Sequence, residues 1–347
     1  MLAGVVLVIL ALTGAVLAFE QPIDHLLNPG LFYVQPQKTQ LPISGVLASL
    51  RKAFPKRRVN MLMLSQAPDL STMAVVRGFS AFVDPYTGRV LGTRQGRGFT
   101  QTVHDLHLRL LLGATGETIN SFATVVLIFL TISGIILWWP LKRVTIATGK
   151  SWRRFNFDTH YAVGFYSSVV LLVLSVTGVM VGFGNYTVPW MYRLTKSEPM
   201  ENMVDSTPVE GASPISPDQA LRKAQTALPG TMPVSIIFPG NPEASYRVAF
   251  RYPEDRTPGG RSRVLVDQFS GEILLVESSR TAPAGTRLVN LNRALHTGDI
   301  GGWPAKVLLC LMSLAVVVQA FTGVVMWWKR WGSPKRPAPV QTDKVAV

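Results

Sequence analysis

Four apolar runs, 1–19, 119–139, 161–183 and 303–328, constrain this chain more than any other feature. About 20 helical residues cross the hydrocarbon of a bilayer. Backbone in lipid must satisfy its own hydrogen bonds, so each run is expected as a membrane helix. Between them lie two blocks of soluble character, 20–105 and 184–294. Each is large enough for a small domain but not for a large core. With 48% hydrophobic and 16% charged residues among 347, the chain is not an ordinary soluble enzyme.

The second half repeats the first. At a constant offset of 189 and without a gap, Leu106-His107 falls on Leu295-His296 and Gly113 on Gly302. At the same offset Ser133-Gly134 falls on Thr322-Gly323 and Trp138-Trp139 on Trp327-Trp328. Thr13-Gly14 and Phe19 match Thr177-Gly178 and Phe183 at an offset of 164. That match argues for a retained first helix, as does the lack of a Lys or Arg n-region, against a cleaved signal peptide with a weak site at 15–18.

Each soluble block repeats a small pattern. The first reads as a helix over 43–54, strands over 58–64 and 72–82, and a turn into a strand at 89–91. The second has Ser216 as an N-cap with Pro217 after it, a helix over 217–227, and strands over 234–238, 245–250, 263–266 and 272–276. The pieces VDPYTGRVL (83–91) and VDQFSGEIL (266–274) superpose. In both, Asp caps the turn and Gly supplies a positive φ, so no chemistry is assigned there. The expected fold is an α-helical membrane protein with four transmembrane helices in two tandem helix–domain–helix repeats, carrying two α+β domains. Segments 106–139 and 295–328 are each an approach plus a span, and 160–183 is the third span. Segment 140–159 is a basic loop, and 329–347 is a tail expected to be disordered.

The net charge of +14 does not point to nucleic acid. Lys142, Arg143, Lys150, Arg153 and Arg154 crowd the loop, and Lys329, Arg330, Lys335 and Arg336 follow the last run. Both clusters lie on one side of a four-helix topology, and the positive-inside rule makes that side cytoplasmic. The single cysteine, Cys310, sits in an apolar run. No CxxC, CxxCH or GxGxxG motif occurs, which excludes covalent c-type haem, cysteine-held clusters and a dinucleotide fingerprint. Paired tryptophans at 138–139 and 327–328 read as an aromatic belt. The Ser/Thr-Gly steps, one near the end of each run, either let helices approach closely or make room for a flat cofactor.

Paired membrane helices flanking D-x-x-[TS]-G turns, LH segments on the outer side and WW at the inner ends resemble the PepSY-associated transmembrane family over about residues 1–330. That family includes iron-uptake-associated membrane proteins and inner-membrane ferric-siderophore reductases. The resemblance implies a multi-pass protein of the bacterial inner membrane with two periplasmic PepSY-like domains. It also implies one or two b-type haems between the helices and electron transfer to a periplasmic ferric siderophore or other ferric chelate. The chain departs from the family in one respect. Members carry a histidine before the first helix, as His160 precedes the third run here. The offset of 164 puts that counterpart five positions before Met1. Either the start is set too late, or this member lacks the ligand.

Four histidines are candidates for the cofactor. His107 and His296 are repeat-equivalent and suit the two axial positions of a haem iron; alternatively each anchors a helix start at the headgroups. His104, one turn before His107, aligns with Arg293, so symmetry does not support it as a ligand. It remains a candidate alternative ligand, a partner behind a ligand, or a contact for haem propionates; Arg109 and Arg293 are also candidates for the propionates. His160 lies at the opposite face, roughly 35 Å along a helical third run. It cannot share a haem with His296, and is either a second-haem ligand or an interfacial histidine. His25 reads as a surface residue. Glu117 and Gln319 are polar positions near or within spans.

The expected function is reduction of a periplasmic ferric siderophore or chelate, releasing Fe(II), with electrons from a quinol or a cytoplasmic donor. Two alternatives stand: a non-redox siderophore or peptide transport component, and a PepSY-based regulatory anchor.

Overall fold

The computed structural model describes residues 2–331 apart from 97, 150, 200–203 and 210. Lys150, Lys335, Arg336 and nearly all of the tail expected to be disordered lie outside the described residues. Helices α1 (Leu2–Leu17), α2 (Glu20–Leu27), α3 (Pro29–Phe32) and α4 (Ile43–Ala53) come first. Strands β1 (Val59–Met63), β2 (Thr72–Val76), β3 (Phe79–Val83) and β4 (Val90–Gln95) follow, then α5 (Phe99–Arg109) and α6 (Gly113–Trp138). The second half runs α7 (Trp152–Gly182), α8 (Gly184–Leu194), α9 (Pro217–Ala227), β5 (Met232–Ile237) and β6 (Tyr246–Arg251). It closes with β7 (Ser262–Val266), β8 (Ile273–Glu277), α10 (Ala284–Thr297), a short 3-10 turn and α11 (Gly302–Trp331).

Helices α6 and α7 and the stretch Asp299–Trp328 are each long and apolar enough to cross a membrane. The first run is shorter than expected. Helix α1 meets that test only together with α2, from which it is bent by 69°. Pro22 lacks the N–H that would bond the Ala18 carbonyl, and Glu20-Gln21 are polar, so the helix breaks there. Three to four helices thus suit a membrane. They form one bundle whose core is Val6, Leu7, Ala11, Ala123, Leu171 and Val316. Helix α1 packs on α6 and α11, and α7 packs on the same two, so α1 and α7 stand at opposite corners.

The strands of the two soluble blocks join into a single antiparallel sheet, ordered β4-β3-β2-β1-β5-β6-β7-β8. Strand β1 pairs with β5 through Met61–Ile237, Leu62–Ile236 and Met63–Ser235. That pairing removes one free edge from each block and lets α4 and α9 cover one continuous core. Leu50, Leu62, Val83, Ile236, Phe250 and Val266 are among its members. The strand expected over 72–82 is a hairpin instead. It turns at Arg77-Gly78, where Gly78 has φ +98°, a backbone state that glycine adopts without steric cost. On the opposite face Phe82 is covered by Phe32, with the Arg94 guanidinium near both rings. Arg94 also grips Asp24 of α2 with two 2.9 Å hydrogen bonds, which ties the sheet to the end of α1.

The approaches to α6 and α11 are separate helices. Leu110 and Leu111 at φ 49° and 60°, with Gly113 at 62°, reverse the chain between α5 and α6. Gly298 and Gly302, at φ 75° and 60°, do the same between α10 and α11. A Cβ on Gly116 would lie 1.6 Å from the Arg109 carbonyl oxygen, so only glycine permits α5 to fold this tightly onto α6. At the other end of the bundle, buried Asp158 accepts hydrogen bonds from Arg143 (3.0 Å), Arg154 (2.8 Å) and the Ala147 amide. A buried carboxylate held this way anchors the basic loop to α7.

Candidate functional site

At the sheet end of the bundle, α5 and α10 bring His107 and His296 together with ring centroids 6.5 Å apart. Each ring rests on a Thr-Gly step of a different helix. His107 Nδ1 is 2.9 Å from Thr13 Oγ1 on α1, and His296 Nδ1 is 3.1 Å from Thr177 Oγ1 on α7. The adjacent glycine makes the room: a Cβ on Gly14 would sit 3.2 Å from His107 Cε1, and one on Gly178 would sit 3.1 Å from His296 Cε1. The two seats stand on opposite corners of the bundle.

The threonine hydroxyls argue for one tautomer. Thr13 donates its one proton to the Ile9 carbonyl (2.6 Å) and Thr177 donates to the Val173 carbonyl (2.7 Å). With that proton committed, the threonine oxygen can only accept, so the histidine Nδ1 carries the hydrogen. Nε2 is then the lone-pair nitrogen of each ring, the state in which a neutral imidazole binds a metal. Burial pushes His107 down from the ordinary histidine range to about 4, with His296 and His104 acting in the same direction. Burial also lowers His296 against the upward pull of the Leu174 carbonyl, and Arg293 adds to the lowering. Both rings are therefore neutral at pH 7.

A third seat lies at the loop end. His160 Nδ1 is 2.8 Å from Thr322 Oγ1 on α11, and Thr322 donates to the Val318 carbonyl (2.7 Å). Gly323 leaves 3.6 Å between its would-be Cβ and His160 Cε1. The same tautomer argument applies. Gln319 caps the arrangement by donating from Nε2 to the His160 carbonyl at 2.8 Å, which accounts for a polar side chain in an apolar run. The fourth step, Ser133-Gly134 on α6, has no histidine against it among the described residues: Ser133 bonds the Leu130 carbonyl and Gly134 faces open space. Thr177 lies 17 residues along α7 from His160, roughly 25 Å at 1.5 Å per residue. The loop-end histidine is thus far from the sheet-end pair.

His104 does not join the pair. It turns toward Glu20 of α2, 4.0 Å away, and is partly exposed. Arg109 is engaged with Glu117 at 3.5 Å, which also accounts for that acidic residue. His25 packs on Phe32, 4.3 Å between ring centroids and tilted by 33°. The turn aspartates do what their spacing indicates: Asp84 accepts from the amides of Tyr86 and Thr87, and Asp267 from those of Phe269 and Ser270. Trp138 stacks on Phe165 and bonds the Arg143 carbonyl, while Trp139 and Trp328 are exposed, as belt residues would be. Among the described residues no three His, Cys, Asp or Glu side chains gather as a metal cage.

Sequence reasoning read the Thr-Gly steps as places of close approach or as room for a flat cofactor, not as histidine partners. It also missed three asparagines that brace the seats. Asn292 and Asn156, each four residues before a histidine, donate to the backbone carbonyls of Thr177 (3.4 Å) and Thr322 (3.1 Å). Asn120 donates to the His107 carbonyl at 2.6 Å. The recurring Asn-x-x-x-His spacing at 156–160 and 292–296 is a usable signal. The repeat offset hides it, because the two copies belong to opposite ends of the bundle.

The family model for the PepSY-associated TM region matches residues 1–330. No curated protein matches the chain.

Proposed function

The chain belongs to the PepSY-associated transmembrane family, and from that premise we propose that it is a b-haem protein of the bacterial inner membrane that reduces a ferric chelate. The observation that carries the reading is the His107–His296 pair with its fixed tautomers. Two imidazoles sharing one metal at bonds of about 2 Å have centroids roughly 6 Å apart, against 6.5 Å here. A porphyrin would bring its own nitrogen ligands to the iron, so two histidines would suffice where no larger cage exists among the described residues. Haem bound between the two rings would provide a one-electron couple.

The residues have separate tasks. His107 and His296 would each present Nε2 to the iron. Thr13 and Thr177 hold the Nδ1 hydrogens and so fix the ring planes, as outer partners of metal-bound histidines do. Leu10, Leu110, Leu127 and Leu174 pack against the bundle core close by and keep the surroundings apolar. His160 on the Thr322 seat would serve a second haem near the loop end, with one ligand from this chain. By the positive-inside rule Arg143, Arg153 and Arg154 support a cytoplasmic loop end, and with it a periplasmic sheet built from two PepSY-like repeats. Electrons would enter from a quinol or a cytoplasmic donor. Each would leave at the sheet end by converting one Fe(III) of a siderophore or related chelate to Fe(II), which such chelates hold less tightly.

The test is the dithionite-reduced spectrum of the protein purified from membranes. Haem Soret and α bands are the expected result. A colourless protein from haem-replete cells would sink the reading.

A further inference from the structure

Arg261 and Arg293 lie close enough for the Arg293 charge to act on the Arg261 guanidinium. Arg261 comes from the turn between β6 and β7; Arg293 lies on α10, one helical turn before His296. Arg261 bonds Thr257 Oγ1 through Nε at 3.1 Å, but its Nη2 is fully buried and has no partner. A buried guanidinium nitrogen without an acceptor costs free energy, so native structures rarely leave one bare. Arg293 makes no ion pair among the described residues, whereas its repeat counterpart His104 is turned toward Glu20.

The local acids are occupied elsewhere. Asp299 is held by Lys306 at 2.9 Å and by Thr297, and Asp255 accepts from the Tyr252 amide and Ser279 Oγ. Burial and the neighbouring Arg293 both hold the Arg261 guanidinium below its usual range, with Asp299 and Asp255 opposing. Arg293 likewise acts on His296. Its charge therefore reaches both the Arg261 guanidinium and His296.

We propose that Arg261 and Arg293 form a carboxylate-binding site beside the histidine pair, with the orphan Nη2 of Arg261 as the donor waiting for an acceptor. Arginine forks match carboxylates in geometry as well as charge. The carboxylate has two possible sources of the same chemistry: a propionate of the haem, or a carboxylate arm of the ferric chelate arriving at the sheet end. The first source rests on the haem reading; the second does not.

The experiment uses the full chain in detergent micelles, with Arg261→Gln and Arg293→Gln alongside wild type. Each is titrated with haemin, with haemin dimethyl ester, and with citrate, followed by Soret absorbance and tryptophan fluorescence. Thermal unfolding checks that the variants are folded; Arg293→Gln, on an exposed helix position, keeps the test open if Arg261→Gln is not. Wild type is expected to bind a carboxylate probe roughly tenfold more tightly than either variant, as for loss of a charged hydrogen bond. A tenfold loss for haemin that is absent for its ester assigns the site to the propionates. A loss for citrate alone assigns it to the chelate, and it stands even if the protein takes up no haemin, which would overturn only the haem reading. Equal binding of all three probes by wild type and both variants overturns the site.

Discussion

The two ends of the helical bundle use one device to different extent. At the sheet end, two histidines carried by α5 and α10 sit on Thr-Gly steps of α1 and α7 with ring centroids 6.5 Å apart. At the loop end one histidine, inside α7, sits on the matching step of α11, and the α6 step faces open space. The difference teaches that the step itself is not the site. A step becomes one only when a second element delivers an imidazole to it, and a two-ligand site needs two such deliveries at opposite corners.

The largest effect should come from the deliveries. Under the haem proposal His107→Ala or His296→Ala is expected to abolish haem binding at the sheet end, while His160→Ala leaves it intact; haem content per protein and the reduced α band read the difference. Equal losses from His160→Ala and His296→Ala would break the distinction between the ends. A smaller effect is expected from the seats. Thr177→Val removes one acceptor of His296 and leaves it the Leu174 carbonyl; under the haem proposal, affinity should fall about 10–100-fold, the range for outer partners of metal ligands. Thr177→Ser keeps the oxygen and should restore binding. A midpoint potential unmoved in Thr177→Val would show that the hydroxyl is only packing.

The smallest effect separates the two ends by space alone. Gly178→Ala would set a methyl 3.1 Å from His296 Cε1, whereas Gly323→Ala would set one 3.6 Å from His160 Cε1. The first requires the ring to give by a few tenths of an ångström; the second is an ordinary contact. Haem at the sheet end should bind several-fold more weakly in Gly178→Ala, at a cost of about 1 kcal/mol. Gly323→Ala should be neutral. Similar titration curves for wild type and Gly178→Ala would show that the seat tolerates a methyl.

Much of this was legible in the residues. Hydropathy marked the membrane runs, although Pro22 ends the first one early. The gap-free offset selected His107 and His296 over His104, and the structure brings those two together while His104 turns to Glu20. The turn aspartates and the Ser216 cap, closed by Gln219 as a capping box, were local patterns and behaved as such. The seats were not legible. Thr13 and His107 are 94 residues apart, Thr177 and His296 are 119 apart, and His160 and Thr322 are 162 apart. Arg261 carried no signal, since one arginine in a turn looks like any other until its surroundings are known.

By itself the sequence determined which segments are apolar enough to cross a membrane, which end carries the basic loop and which histidines are equivalent, because these depend on residue type and short-range order. Only the tertiary structure decided that β1 and β5 join the two blocks into one sheet. It alone set each histidine on a threonine of another helix and left Arg261 Nη2 without an acceptor. Those outcomes depend on contacts between segments far apart in the chain, where hydrogen-bond partners are chosen by packing and not by neighbours in sequence.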